Sequence, residues 1–201
     1  MKCNNVIYRH LWLYRVIMRL LYWEPYGKRF RHVCQQLRKT DSFVLELCFA
    51  DVVVADYCRR HSRAWTGIDQ SDAFVAYARR HRFDARQADL LRPDKLPLCD
   101  VCIMMGSLYQ FRGELEDLFF RIKACSARFI LSEPVNNWTC STGLRRIMAV
   151  WLTRTEPYAD PFRFTELSLV QTLNAMQHDI GFEYRIVHTA RDMVVEIIWL
   201  K

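Results

Sequence analysis

From Ser42 onward the chain alternates short β-rich runs with helical stretches, and no other feature of the sequence constrains its fold as strongly. The alternation selects parallel strands joined by crossover helices. The first run is Phe43-Val44-Leu45-Glu46-Leu47, and a helix over about Val52 to Arg60 follows it. The second strand, Ala64 to Ile68, is closed by Asp69, and the next helix runs from about Ser71 to His81 with Ser71 or Asp69 as N-cap. A short third strand at Asp84 to Gln87 is closed by Asp89. The fourth, Val101-Cys102-Ile103-Met104-Met105, is almost wholly apolar, as a strand covered on both faces must be. A helix over Leu115 to Ala124 leads into the fifth strand, Arg128 to Ser132. After another helical region, Tyr184 to Thr189 and Met193 to Leu200 read as a terminal hairpin about Ala190-Arg191-Asp192. The expected architecture is α/β: a Rossmann-like three-layer sandwich whose mostly parallel seven-stranded sheet ends in an antiparallel hairpin.

A chain of 201 residues, 51% of them hydrophobic, holds one medium domain with a full core plus a small appendage. Lys39-Thr40-Asp41-Ser42 is the one boundary the sequence offers, dividing an N-terminal helical cap or lid, residues 1–41, from a Rossmann-like domain, residues 42–201. In the cap, a 100° advance from Val6 gathers Val6, His10, Leu13, Ile17, Leu20 and Leu21 on one face. Tyr8, Trp12, Arg15, Arg19 and Tyr22 gather on the other, a mixture of rings and guanidinium groups suited to stacking and to holding carboxylates or phosphates. Glu24-Pro25 ends that helix, and a second runs over about Lys28 to Leu37. Residues 1 to 40 hold nine lysines and arginines against Glu24 alone, so of the total charge of +7 they carry +8 and the remainder carries −1. A basic cap on a near-neutral body favours an anionic substrate, an acidic partner protein, a membrane surface or nucleic acid, and its sign does not choose among them. The first apolar stretch, Val6 to Trp23, is broken by Arg9, His10, Arg15 and Arg19, which fits neither a signal peptide nor a transmembrane segment. The 8 cysteines then read as reduced, mostly buried thiols of a cytoplasmic protein. Cys99 and Cys102 have a metal-pair spacing but, three apart on a strand, point to opposite faces, so no metal site is expected.

In open α/β sheets the ligand lies beyond the carboxyl ends of the strands, where strand order reverses. That rule selects Glu46 onward, Asp69, Asp89 and Met105 onward. Asp69 falls 23 residues past Glu46, near the interval at which an acid accepts hydrogen bonds from an adenosine ribose, and Asp89 lies another 20 residues on.

With these positions the sequence resembles the class I S-adenosylmethionine-dependent methyltransferases over about residues 42 to 201. The resemblance is carried by Val44-Leu45-Glu46-Leu47-Cys48, Gly67-Ile68-Asp69, Ala88-Asp89-Leu90, and Cys99-Asp100-Val101 through Ser107-Leu108-Tyr109-Gln110-Phe111. It is similar in particular to small bacterial members in which the fifth strand ends in Ser-Glu-Pro, here Ser132-Glu133-Pro134. The family's first loop reads Glu-x-Gly-x-Gly-x-Gly. This chain has Glu46-Leu47-Cys48-Phe49-Ala50-Asp51-Val52, a degenerate glycine loop with no glycine in it. Glycines there allow a tight turn and close backbone approach, so a pyrophosphate-bearing dinucleotide is disfavoured. S-Adenosyl-L-methionine (SAM) has no phosphate, and the small Cys48 and Ala50 leave it room.

The resemblance implies SAM as cofactor. It places Glu46, Leu47 and Cys48 at the loop, Asp69 on the ribose hydroxyls with Gln70 beside the adenine, Asp89 and Leu90 at its border, and Met105, Gly106 and Ser107 beneath the sulfonium and amino-acid moiety. Methyl transfer is an in-line displacement in which positioning supplies much of the catalysis. Facing the acceptor are Tyr109, the candidate catalytic residue, with Glu133, Asn136, Asn137 and Arg163, and Tyr22 and Tyr26 from the cap. Trp138 and Trp151 flank an inserted stretch, Thr139 to Ala149, that faces solvent or closes over the acceptor. The expected acceptor is a small molecule or a carrier-bound group, and the basic cap favours an anionic one. Nucleic acid is disfavoured, because no Asn/Asp-Pro-Pro-Tyr-like motif follows the fourth strand and no separate binding domain is present. Two alternatives stand beside this reading: an inactive methyltransferase-like interaction protein, and an RNA methyltransferase. The sequence leaves open an oligomer.

Overall fold

A computed structural model describes residues 11–21, 26–92, 95–136 and 162–200. Seven strands form one sheet: β1 (Phe43–Leu47), β2 (Ala64–Asp69), β3 (Asp84–Gln87), β4 (Cys99–Met105), β5 (Ser126–Pro134), β6 (Phe182–Thr189) and β7 (Asp192–Trp199). Their spatial order is β3-β2-β1-β4-β5-β7-β6. β1 to β5 run parallel, and β7 lies antiparallel between β5 and β6. The α/β three-layer architecture with its C-terminal hairpin is the expected one, and the reversal of strand order falls between β1 and β4.

Alternating side chains divide the core into two halves. Val44, Trp65, Ile103, Ile130 and Val194 face one way and meet α2 (Gly27–Cys34), α3 (Val53–Arg60) and α4 (Asp72–Arg80). Leu45, Leu47, Met104, Phe129 and Val195 face the other and meet α5 (Leu115–Cys125) and α6 (Glu166–Ile180). Between β4 and α5 lies a single 3-10 turn, Leu108–Phe111. The helices start and stop where local chemistry dictates. Ser71 caps α4 by accepting from the Phe74 N–H. Thr165 and Ser168 form a capping box on α6, which stops at Gly181 with φ 74°. From the N-terminal segment, α2 adds Phe30, Val33 and Cys34 to the core itself. The first described helix, α1 (Leu11–Leu21), lies outside α4, with Tyr14 edge-on to Phe74 at 5.3 Å.

β4 and β5 each begin two residues before the runs read from the sequence. Asp100 explains the first extension: its carboxylate accepts the backbone N–H groups of Ser42 and Phe43, both at 2.8 Å, tying β4 to the start of β1. The second adds Ser126, which pairs with Cys99, and Ala127, ahead of Arg128, which is 3% exposed. Its guanidinium donates to Asp41, to Glu196 Oε1 at 2.6 Å and to the Gln36 carbonyl at 3.0 Å. Arg38 and Arg185 complete the cluster with 2.7 and 2.9 Å bonds to Glu196. Burial pushes the Glu196 carboxyl up, but the Arg185, Arg128 and Arg38 guanidinium groups outweigh it and hold the group below the usual range. This cluster fastens the approach to β1 onto the lower part of β5 and β7. No described helix is long and apolar enough to cross a membrane.

Candidate functional site

The loop after β1 adopts left-handed backbone at Cys48 (φ 54°) and Ala50 (φ 45°), the first two positions at which the family motif has glycine. For an L-residue that conformation costs about 1–2 kcal/mol, and it persists only where the surroundings over-determine it. Here they do. The Cys48 N–H donates to the Ile68 carbonyl at 2.7 Å, the Asp51 N–H to the Phe49 carbonyl, and the Ala50 N–H to Asp69 Oδ2 at 3.1 Å. The Asp51 carboxylate, 1% exposed, takes both arms of the Arg15 guanidinium at 2.9 and 2.7 Å, the Tyr26 hydroxyl at 3.2 Å and the Val52 N–H at 2.8 Å. Phe49 turns away from the crevice, edge-on to Trp65 at 5.3 Å, and the two rings fill the space over Gly67, where an added Cβ would meet Trp65 at 2.2 Å. Glu46 lies under the same loop, its Oε2 accepting from Trp65 Nε1 at 2.9 Å while Oε1 has no hydrogen-bond partner among the described residues. Burial holds its carboxyl well above the ordinary range, which favours the neutral acid.

At the end of β2, Asp69 Oδ1 accepts the Ser71 N–H at 2.8 Å, so the acid braces both its own turn and the β1 loop. Burial pushes its pKa up to about 6 against the pull of those backbone N–H groups, leaving it ionised at neutral pH. Gln70, partly exposed, receives Gln87 Nε2 on its carbonyl at 3.1 Å. Asp89 caps a turn through the Leu91 N–H at 3.1 Å, and Leu90 is buried in the core.

β4 ends on buried Met105 and on Gly106, whose φ of 65° favours glycine. An added Cβ would lie 2.9 Å from a terminal nitrogen of Arg29, so this glycine also makes room for a guanidinium from α2. Arg29 is itself 8% exposed, with Nε 3.5 Å from Asp192 at the start of β7. The Ser107 hydroxyl donates to the Met105 carbonyl at 3.4 Å, and burial pushes the pKa of the Cys48 thiol up. Leu47 is fully buried behind them.

Glu133, 0% exposed, ends β5 with Oε2 accepting the Leu108 N–H at 3.0 Å and Oε1 without a partner among the described residues. Burial pushes its pKa up to about 8. Tyr109, on the turn so held, receives Gln110 Nε2 on its hydroxyl at 3.3 Å and carries the Arg163 guanidinium 3.6 Å above its ring. Burial raises the Tyr109 pKa and the Arg163 charge opposes the rise. Asn136 is exposed, its N–H on the Arg191 carbonyl at 3.1 Å.

The structure therefore brings the ends of β1, β2, β4 and β5 around one crevice in which Cys48, Ala50, Gln70, Asp89, Gly106 and Tyr109 keep part of their surface open. Tyr26 is placed beneath it, 8% exposed and bonded to Asp51. Tyr22, Asn137, Trp138, Trp151 and the stretch 139–149 lie outside the described residues. A groove of about 510 Å³ between α1 and α4, lined by Trp12, Arg19, Tyr77 and Arg80 among others, is separate from the crevice. Sequence reasoning missed Arg29, Asp51 and Arg15. Asp51 had a signal: it is an acid inside a loop that otherwise holds only apolar or sulfur-bearing side chains between Leu47 and Val52.

No family model and no curated protein matches the chain. Solved structures do. Human N-acetylserotonin methyltransferase in complex with SAM is 16% identical, with 96% of this chain and 57% of that one covered and a TM-score of 0.65. PigF with SAH (S-adenosylhomocysteine) is 12% identical over 100% of this chain and 62% of its own, with a TM-score of 0.70. The DhpI-SAM-HEP complex is 15% identical over 94% and 93%, with a TM-score of 0.59. The chain thus spans about three-fifths of the first and second of these proteins and nearly all of the third. At these identities the likeness shows the fold, which is that of the class I SAM-dependent methyltransferases.

Proposed function

We propose that the chain is a SAM-dependent methyltransferase acting on a small-molecule or carrier-bound acceptor. One observation carries this reading: the glycine-free loop still makes the glycine loop's turn, at the expense of two left-handed L-residues, and the acid at the end of β2 braces it. A fold kept only as an interaction scaffold has no use for that strain.

The residues present fit the cofactor. Gly106 opens a cradle at the end of β4 that a Cβ would fill, and the partly open Cys48 and Ala50 bound it on the β1 side. Asp69 is ionised at neutral pH and would accept the ribose hydroxyls, Gln70, Asp89 and Leu90 would border the adenine, and Arg29 would face the carboxylate of the amino-acid moiety. Glu46 and Leu47 support the loop from below. When bound, SAM supplies an electrophilic methyl group on a sulfonium. The protein's share is alignment and water exclusion. Tyr109, with the Arg163 guanidinium on its ring, forms the acceptor wall, and that positive charge favours an anionic acceptor. Glu133 holds the turn that carries Tyr109. Asn136, Asn137 and Tyr22 complete the acceptor side in this proposal, whereas Tyr26, expected there from the sequence, is buried and supports the loop through Asp51. The described cysteines are free thiols, which suits a reducing cytoplasm.

Calorimetric titration of the purified protein with SAH tests the reading. Saturable binding is expected; absence of heat and of any thermal shift at millimolar SAH rejects it.

A further inference from the structure

α3 and α4 finish on the same signature, Tyr57-Cys58-Arg59-Arg60-His61 and Tyr77-Ala78-Arg79-Arg80-His81. The geometry repeats too. Each histidine ring lies against the tyrosine ring four residues before it, centroids 4.0 and 4.1 Å apart, with Nδ1 at 2.8 and 2.9 Å from that tyrosine's carbonyl. Each helix is then followed by a left-handed residue, Ser62 or Arg82. The two ends touch: Arg59 donates to the His81 carbonyl at 3.2 Å and lies 4.4 Å over the Phe83 ring. Folding thus gathers exposed Arg59, Arg60, Arg79, Arg80, Arg82 and Arg86 on one surface, where Asp56 pairs with Arg59 and Asp84 with Arg86. The side chains of Arg80 and Arg82 meet no hydrogen-bond or ion-pair partner among the described residues.

One basic residue per helix end satisfies the last carbonyls and the helix dipole. Six exposed guanidinium groups on one surface, in a stretch from Val53 to Arg92 that holds no lysine, exceed that need. Guanidinium is the cation whose planar fork matches a phosphate through two parallel hydrogen bonds, and the exposed histidine rings add flat faces for stacking. Between residues 53 and 90 no large apolar side chain is exposed, and the exposed Trp12 and Val16 of α1 lie only on the flank where Arg80 lines the groove, so the arginine surface itself is poorly suited to insertion into a bilayer. We propose that the paired ends of α3 and α4 form a sequence-independent docking surface for the phosphodiester backbone of a nucleic acid. It lies at the amino ends of β2 and β3, away from the crevice at the strands' carboxyl ends, so it tethers the protein without presenting the nucleic acid as methyl acceptor.

The test is fluorescence anisotropy of the full chain with a labelled 20-nucleotide RNA, its DNA counterpart and the DNA duplex, between 50 and 200 mM salt. Binding that weakens linearly in log salt is expected, and the three probes rank RNA, single-stranded DNA and duplex. Arg60→Gln/Arg80→Gln/Arg82→Gln should lose at least tenfold in affinity and flatten the single-strand salt slope by about 2, at ~0.7 per phosphate contact. Saturating SAH should leave nucleic-acid affinity unchanged, and the triple variant should bind SAH as the parent does, so this proposal and the proposed function fail separately. Glutamine is compatible with the helix; should the triple variant lower the thermal midpoint, each single variant is expected to weaken binding severalfold with the midpoint intact. The proposal is overturned by no binding at 50 mM salt, by unchanged affinity in the triple or single variants, or by binding to phosphatidylserine vesicles alone.

Discussion

The two ends of the sheet spend buried charge in opposite ways. Near the amino ends of β4 and β5, Asp41 and Glu196 are matched by Arg128, Arg38 and Arg185. At the carboxyl ends Arg15 pairs with Asp51 and Arg29 lies by Asp192, but the acids Glu46, Asp69 and Glu133 are buried among backbone N–H groups and one indole, their pKa values pushed up, beside a loop in left-handed conformation. A region whose charges are fully paired holds the chain together; one that keeps acids short of partners and backbone under strain holds something in readiness.

The largest effect is expected at the paired end. Glu196→Ala leaves Arg128 buried beside one remaining acid and should cost about 3–5 kcal/mol in urea denaturation, with SAH affinity of the folded protein unchanged. A loss below about 1 kcal/mol would erase the contrast between the ends. Next is Asp69→Asn, which keeps one acceptor for the loop but removes the charge: SAH affinity should fall at least tenfold. In the parent protein, affinity should weaken as pH drops through about 6, where Asp69 gains a proton, and Asp69→Asn should abolish that dependence. Cys48→Gly/Ala50→Gly comes third. Relief of left-handed strain, offset by glycine's chain entropy, should raise stability by about 1 kcal/mol; a loss instead would mean that the loop is not strained. The smallest effect is that of Glu133→Gln. The Glu133 pKa is raised on folding, so its contribution is complete below the ordinary value of 4.5 and is lost as pH rises through about 8. The glutamine variant should therefore match the parent near pH 5 and melt progressively higher than it as pH rises toward 8. Glu196, with its pKa lowered, works in the reverse sense: its contribution is present above 4.5 and disappears as pH falls.

Periodicity located the strands well, because runs such as Val101 to Met105 are buried on both faces and carry that burial in their composition. It fell short at strand starts, where Asp100 enters the sheet on the strength of a partner 57 residues distant and Ser126 enters by pairing with Cys99. The same limit governed the crevice. Asp69, Gly106 and Glu133 were readable as strand-end residues, whereas Arg29 and Arg15 reach the site only once α2 and α1 are laid on the body. Linear charge counting found the basic segment at residues 1 to 40. It could not find the second basic surface, whose two halves lie twenty residues apart and are interleaved with Asp69, Asp72 and Asp84.

Because β7 slots between β5 and β6, the sheet is completed out of chain order. While a ribosome is still making residues 192–199, β5 has an open flank and β6 has no neighbour to pair with, so neither can settle until the last strand emerges. A chain deprived of residues 192–199 therefore keeps two unpaired strand flanks and should aggregate rather than fold with lowered stability.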